Sequence, residues 1–413
     1  MAFNLVAPVP TELNEYLSKD DSSYQYQTSR DQGTQISLTS QTWQGNAWNH
    51  TILIREPKQI LKKGLGVLFI TGDGPRAGDR ALLPLVTAAT GLPTAFLFDI
   101  PNQPIYGLKE DDLIAYTFDK YLSTKDNSWP LLFPMTKSAI RAMDAIVDST
   151  KNSSNPIKEF VVMGASKRGW TTWMTAASGD KRVKAIAPMV IDNLNVGKQM
   201  AQQIREWGAY SDQIEAYTKL GLQAKFFSKD GRHLSDMVDP YMYRSRINQP
   251  TLIVNGSNDP YWTVDASSNY WSDLKQPKWI VTVPNVGHDL GGGAKAVETV
   301  GAFCRSIAGK FKMPTVDWTL ARSGRSVKVT LKYTGQLSKI TVWRADSVNL
   351  DFRPSKYEAV ATVTDFKNGR SELTFPLANT GNSAAFAEAT FMDEGRSYRL
   401  CCPTQIFKSE AGS

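Results

Sequence analysis

Phe160-Val161-Val162-Met163-Gly164-Ala165-Ser166-Lys167-Arg168-Gly169-Trp170 is the stretch whose reading decides the fold. An apolar run of strand type stops at Gly164, a serine follows two residues later, and Gly169 lets a helix start against the strand end. A strand-turn-helix elbow of this kind holds a serine hydroxyl above a parallel sheet, where it can attack a carbonyl. The amides just past the turn open a helix and can stabilise an oxyanion. The commoner elbow has glycine two residues after the serine. Here that position is Arg168 and glycine comes third, a small-x-Ser-x-x-Gly variant that also carries nucleophilic serines. The other reading of these residues is a structural strand-to-helix turn with an incidental serine.

The chain around the elbow is long enough for a large core. At 413 residues and 41% hydrophobic, it suggests two domains, or one large domain with an appendage. No apolar run reaches the eighteen residues that a membrane-spanning helix needs. Met1-Ala2-Phe3-Asn4-Leu5 lacks the basic and apolar regions of a signal peptide. The expectation is a protein that is not exported, or one whose signal has been trimmed. Cys304, Cys401 and Cys402 show no metal-ligand spacing, and adjacent cysteines pair only through a strained ring. All three are expected reduced and structural, and no metal or cofactor is called for. A net charge of +7 is spread along the chain without basic tracts interleaved with aromatics, so nucleic acid is not an expected partner.

Working outward, strands alternate with helices on both sides of the elbow. Pro10 to Lys19 reads as a short helix capped by Thr11. Gln35–Leu38 and Thr51–Ile54 read as antiparallel strands about the turn Gln44-Gly45-Asn46. Gly66–Ile70 is a continuous apolar run, as expected of a strand buried on both faces, and it ends in Thr71-Gly72-Asp73-Gly74. Thr94–Phe98, Val183–Val190, Pro250–Val254 and Trp279–Val283 are further strands. Helices are read over Arg80–Ala89, Asp111–Leu122, Met135–Val147 and Lys295–Lys310. In the third of these Met135, Ala139, Ala142, Met143 and Ile146 share one face and are core candidates. Such alternation implies a mostly parallel sheet with helices on both faces.

Two regions break the rhythm. Residues 193–248 are helical in pattern and rich in aromatics, including Trp207 and Tyr210. They read as a cap inserted over the carboxyl ends of the strands, where open α/β sheets bind ligands; the alternative is a decoration packed away from the site. After Met313-Pro314 the period changes to clean alternation in Ser326–Tyr333, Lys339–Trp343, Glu358–Val363 and Arg370–Phe375. This suggests a small Ig-like β-sandwich over 313–413, suited to packing or partner contact, after a first domain over 1–312.

A serine nucleophile needs a base, and the chain offers His50, His233 and His288. His288 directly follows the last strand of the parallel series and is the candidate. Asp259, in the loop after the preceding strand, would fix its tautomer. Ser166, Asp259, His288 is then the chain order of α/β-hydrolases. Asp192, one strand earlier, is the runner-up acid, with Asp265 and Asp289 weaker candidates. Amides at Lys167 and Gly72 are expected to face the oxyanion. Substrate contacts are expected from Arg168, Trp207, Tyr210, Tyr261 and Trp262. A cation at Lys167 or Arg168 would either bind an acidic substrate group or pair with an acid inside the protein.

The sequence resembles the PhoPQ-activated pathogenicity-related proteins. The resemblance is carried by Asp112–Phe118, Trp129–Leu132, Pro134–Ala139, Met163–Trp173, Ala187–Asn195, Asn255–Asp259 with Trp262, and Gly287-His288. It implies an α/β-hydrolase-like fold, virulence or antimicrobial-peptide resistance in some members, export in many, and proliferation repression by related secreted amoebal proteins. The expectation for this chain is a serine hydrolase acting on a peptide or small ester, a peptidase first. A carbohydrate esterase is the alternative, because Gly-Ala-Ser-Lys-Arg-Gly also resembles the glucuronoyl esterase elbow. A non-catalytic signalling protein, engaging a receptor through the cap or the C-terminal domain, is the third reading.

Overall fold

The continuous apolar run at the centre of the chain forms the middle of one large sheet. A computed structural model describes residues 8–30, 33–366 and 369–409; Met1–Leu5 lies outside them. The elbow strand Glu159–Ala165 pairs in parallel with Leu65–Ile70 on one side and Val183–Met189 on the other. Thr251–Gly256 and Lys278–Val283 extend the parallel series past Val183–Met189, and Thr94–Leu97 lies beyond Leu65–Ile70. The antiparallel strands Asn46–Arg55, Thr34–Trp43 and Gln25–Ser29 complete that end. The last of these was not read from the sequence. Its pattern is almost wholly exposed, as befits an edge strand.

Alternating residues of the sheet feed two apolar layers. Leu53, Phe96 and Phe98 meet Leu83 and Val86 of the helix Ala77–Thr90, whereas Ile52, Ile54, Ala95 and Leu97 join the main core. Helix Leu132–Thr150 buries Met135, Ala139, Ala142, Met143 and Ile146 completely. Fully burying a side chain the size of methionine or isoleucine is worth about 1.5–3 kcal/mol. At the N-terminus, helix Glu12–Ser18 follows Thr11 as expected, but the Thr11 hydroxyl donates to the Glu15 carboxylate instead of accepting a backbone N–H.

The cap contains helices Val196–Trp207 and Lys229–Val238 joined by shorter turns. Asp239 holds its two ends together, accepting N–H bonds from Asn195, Val196 and Tyr241 at 2.8–3.1 Å. Burial, against these bonds, pushes the Asp239 carboxyl up to about 6. The Trp170 indole of the elbow helix donates to Val238 O, fastening the cap to the sheet domain.

The C-terminal strands form two facing layers. Val316–Ser323, Ser326–Tyr333 and Arg370–Pro376 make a separate antiparallel sheet that buries Val327, Val329, Leu331 and Phe375. Opposite it, Glu358–Val363, Leu337–Ser347, Asn382–Asp393 and Arg396–Cys401 pair in that order. This second layer runs on from the central sheet, because Cys401 pairs with Ile280. Cys401 and Cys402 are free and buried, as is Cys304.

Candidate active site

The elbow is built by close backbone packing. Ser166 sits at φ 57°, ψ −129° between strand and helix, a region that costs a residue with a Cβ on the order of 1–3 kcal/mol. Its N–H donates to Met189 O, and its carbonyl accepts from Trp170 N–H. Both flanking glycines are required. A Cβ on Gly164 would fall 2.6 Å from Arg168 O, and one on Gly169 would meet Met189 O at 2.9 Å and Gly164 O at 3.0 Å. The third position after the serine is therefore the one that faces back onto the sheet. This is the physical reason for the spacing Gly-x-Ser-x-x-Gly in this chain.

The loops that carry Asp259 and His288 lie against each other in the same way. A Cβ on Gly256 would strike Gly287 O at 2.4 Å, and Asn258 N–H donates to Val286 O. Their contact sets Asp259 Oδ2 2.8 Å from His288 Nδ1, with Asp259 Oδ1 accepting the Tyr261 N–H at 2.9 Å. With the carboxylate on Nδ1, the other ring nitrogen is left clear of it. His288 Nε2 is buried and has no hydrogen-bond partner among the described residues. Ser166, Lys167, Tyr261, Trp262 and His288 all line one cavity of about 70 Å³ under the cap.

The two cations beside the serine face inward. Arg168 makes a bidentate pair with Glu110, both bonds 2.7 Å, and donates Nε to Ile100 O. Lys167 Nζ lies 2.9 Å from Glu110 and 3.1 Å from Asp111. Burial alone would raise the Glu110 carboxyl, but the Arg168 bonds and charge, joined by Lys167, hold it far below the usual carboxylate range. Arg168 does not reach the cavity. Lys167 does, already paired, beside Asp111, which also accepts the Tyr217 hydroxyl at 3.1 Å. Gly72 lies against Arg168, so that a Cβ there would fall 2.6 Å from Nη2. As the first residue of its helix, Lys167 has an N–H with no intrahelical acceptor.

The other candidates separate. Asp192 accepts from Tyr270 Oη and from Asn255 Nδ2 and makes no bond to His288. Burial, with the Asp259 charge adding to it, pushes its carboxyl up to about 7. Asp265 accepts from Gln202, and Asp289 caps its own turn through Gly291 N–H. Trp207 lies under the Arg353 guanidinium, 3.9 Å from ring centroid to Cζ. Tyr210 packs against the core; neither lines the cavity. His233 meets Glu12 at the surface. His50 is buried against Ser40 and the Phe98 and Asp99 carbonyls. Among the described residues no cluster of His, Cys, Asp or Glu could hold a metal ion.

Sequence reasoning missed most of the cavity wall. Phe118, Ile191, Asn193, Val196, Met200 and Phe226 line it, drawn from three separate stretches of chain that only the fold brings together. Asn193 directly follows Asp192 past a strand end, the one local signal it carried.

The sequence profile of the PhoPQ-activated pathogenicity-related proteins matches residues 13–353. The chain belongs to this family. A second similarity spans nearly the whole length: autocrine proliferation repressor protein A of Dictyostelium discoideum is 30% identical over 95% of this chain and 88% of its own. Among solved structures, the fold of this PhoPQ-related protein is similar to two acetyl xylan esterases. That of Paenibacillus sp. R4 superposes with a TM-score of 0.51 at 14% identity, covering 71% of this chain and 92% of that one. Acetyl xylan esterase 1 of Thermoanaerobacterium sp. JW/SL YS485 gives 0.50 at 15%, covering 73% and 95%. These likenesses establish an α/β-hydrolase fold for the PhoPQ-related chain.

Proposed function

We propose that the protein is a cofactor-independent serine hydrolase with Ser166 as nucleophile, His288 as base and Asp259 as its orienting acid. The observation that carries this reading is the buried, unpartnered His288 Nε2 on the wall of the cavity that Ser166 also lines, with its other nitrogen held by Asp259. Ser166 Oγ attacks the acyl carbonyl while His288 Nε2 takes the hydroxyl proton. The oxyanion is held by the N–H groups of Lys167 and Gly72. Nε2 then returns the proton to the leaving alcohol or amine. A water attacks the acyl-serine, gives its proton to His288, and the acid leaves as the hydroxyl of Ser166 is restored. An amide or peptide bond remains the first substrate class. The internal pairing of Arg168 and Lys167 argues against a substrate group that carries a free carboxylate, which would need an unpaired cation.

A fluorophosphonate probe tests the reading. Wild type is expected to label at neutral pH and Ser166→Ala not to; equal labelling of the two, or none of wild type, overturns it. A second reading is favoured by one observation, the similarity to an autocrine proliferation repressor. In that reading the protein signals from outside the cell and Ser166→Ala keeps full biological activity.

A further inference from the structure

Besides His288 Nε2, two buried polar atoms on residues of the cavity wall have no partner among the described residues: the donor Nε1 of Trp262 and the acceptor Oδ1 of Asn193. Lys167 and Asp111 neutralise each other on its wall, and Phe118, Met200 and Phe226 make much of the rest apolar. Asn193 stands among them only 3% exposed, and its Oδ1 is buried without a hydrogen-bond partner. A buried amide oxygen left bare is costly, and among the described residues that carry one, Asn193 is the one on the cavity wall. A ligand that brings an N–H to it removes that cost, whereas an ether or ester oxygen in the same place repels it.

We infer that the cavity is a recognition pocket for an uncharged apolar side chain carried next to an amide, and that Asn193 reads the amide N–H. The substrate class is then an N-acyl amino acid derivative or a peptide with an apolar residue at the reacting carbonyl. A sugar ester does not fit this description. The inference rests on Ser166 being the nucleophile of this cavity, and it deepens that reading to a substrate.

Binding to Ser166→Ala tests it apart from turnover. The probes are N-acetyl-L-leucine methyl ester, its depsi counterpart with oxygen in place of the N–H, N-acetylglycine methyl ester, and methyl glucuronate, measured by calorimetry. The leucine amide is expected to bind roughly tenfold to a hundredfold tighter than the depsi compound. It should also bind more tightly than the glycine and glucuronate compounds. Adding Asn193→Leu is expected to shrink the amide preference to within about threefold. Asn193→Ser is the alternative if the leucine variant does not fold. Equal affinity for the amide and depsi pair, a preference that survives both Asn193 changes, tightest binding of methyl glucuronate, or no binding at all overturns the inference. None of these outcomes depends on labelling by the fluorophosphonate, so the nucleophile and the recognition group can fail separately.

Discussion

The ring of Tyr261 lies against the imidazole of His288, with centroids 4.2 Å apart and planes 30° from parallel. The same residue donates its backbone N–H to Asp259, so it touches both members of the proposed base–acid pair. The ring limits imidazole rotation, and misplacing a catalytic group by an ångström costs up to about a hundredfold in rate. Tyr261→Phe is expected to keep kcat within about twofold, and Tyr261→Ala to lower it about tenfold or more. Steady-state kinetics on an ester reporter decides; an equal loss in both variants would assign the effect to the hydroxyl instead.

Asp259 and Asp192 lie near each other but should respond differently to substitution. Asp259→Asn is expected to reduce kcat by ~10⁴, because the wrong imidazole tautomer is then favoured. Asp192→Asn should leave kcat within a few fold and act on stability. Folding raises the Asp192 carboxyl from 3.8 to about 7, so the folded state resists its ionisation. That contribution is fully present below about pH 4, is lost as pH rises towards 7, and is constant above. At about 1.4 kcal/mol per pKa unit the swing is roughly 4 kcal/mol. Asn255, whose Oδ1 has no partner, can turn its amide to meet the new side chain. Urea melts of both proteins at pH 4 and pH 8 should show the variant gaining relative stability at the higher pH.

His50 makes the opposite prediction. Burial, outweighing the Phe98 and Asp99 carbonyl bonds, lowers its pKa to about 4. An unfolded chain protonates this imidazole near pH 6.5 while the folded protein keeps it neutral. Stability is therefore full above pH 6.5, falls as the pH drops below it, and levels off below about 4. The loss is on the order of 3 kcal/mol. Because Asp192 titrates with the opposite sign over the same range, the curve should appear in the difference between wild-type and His50→Gln denaturant midpoints from pH 7 to 4; a pH-independent difference removes His50 as a contributor.

A C-terminal loop reaches the loops that carry Asp259 and His288 from outside. Asn258 donates to Arg353 O and Ser355 O at 3.0 and 2.7 Å, while Asn285 and Tyr357 exchange two bonds. Arg353, steadied by Asp351, covers Trp207 of the cap. Asn258→Ala is expected to lower kcat several-fold, because it frees the loop that carries Asp259. Arg353→Ala is expected to act mainly on KM, because it frees the cap helix. Separate kinetic constants distinguish the two, and an identical effect on both constants in both variants would contradict this division.

The parallel sheet was legible because its strands are apolar runs closed by glycine turns, and the order Ser166, Asp259, His288 followed from where those runs end. What stayed hidden lacked local signal. Asn382–Asp393 is a long, almost wholly buried strand, but Ala384, Ala385, Ala387 and Ala389 have little β-propensity of their own. Trp207 looked like a substrate contact because aromatics in a cap often are. Its partner Arg353 is 146 positions away in the chain, and no periodicity connects them. For Arg168 the sequence left a substrate acid and an internal acid both open, and Glu110, 58 positions upstream, is the internal partner. Side-chain pairing across segments is tertiary information, and the fate of a charge depends on it more than the location of a strand does.

The pairing of Cys401 with Ile280 bears on how the polypeptide can be cut. Strand Lys278–Val283 is buried over Ile280–Val283 and would end the sheet if residues 313–413 were removed. A bare, hydrophobic rim of that kind is a template for other chains. A truncation made to isolate residues 1–312 would create an aggregating surface in the act of simplifying the molecule.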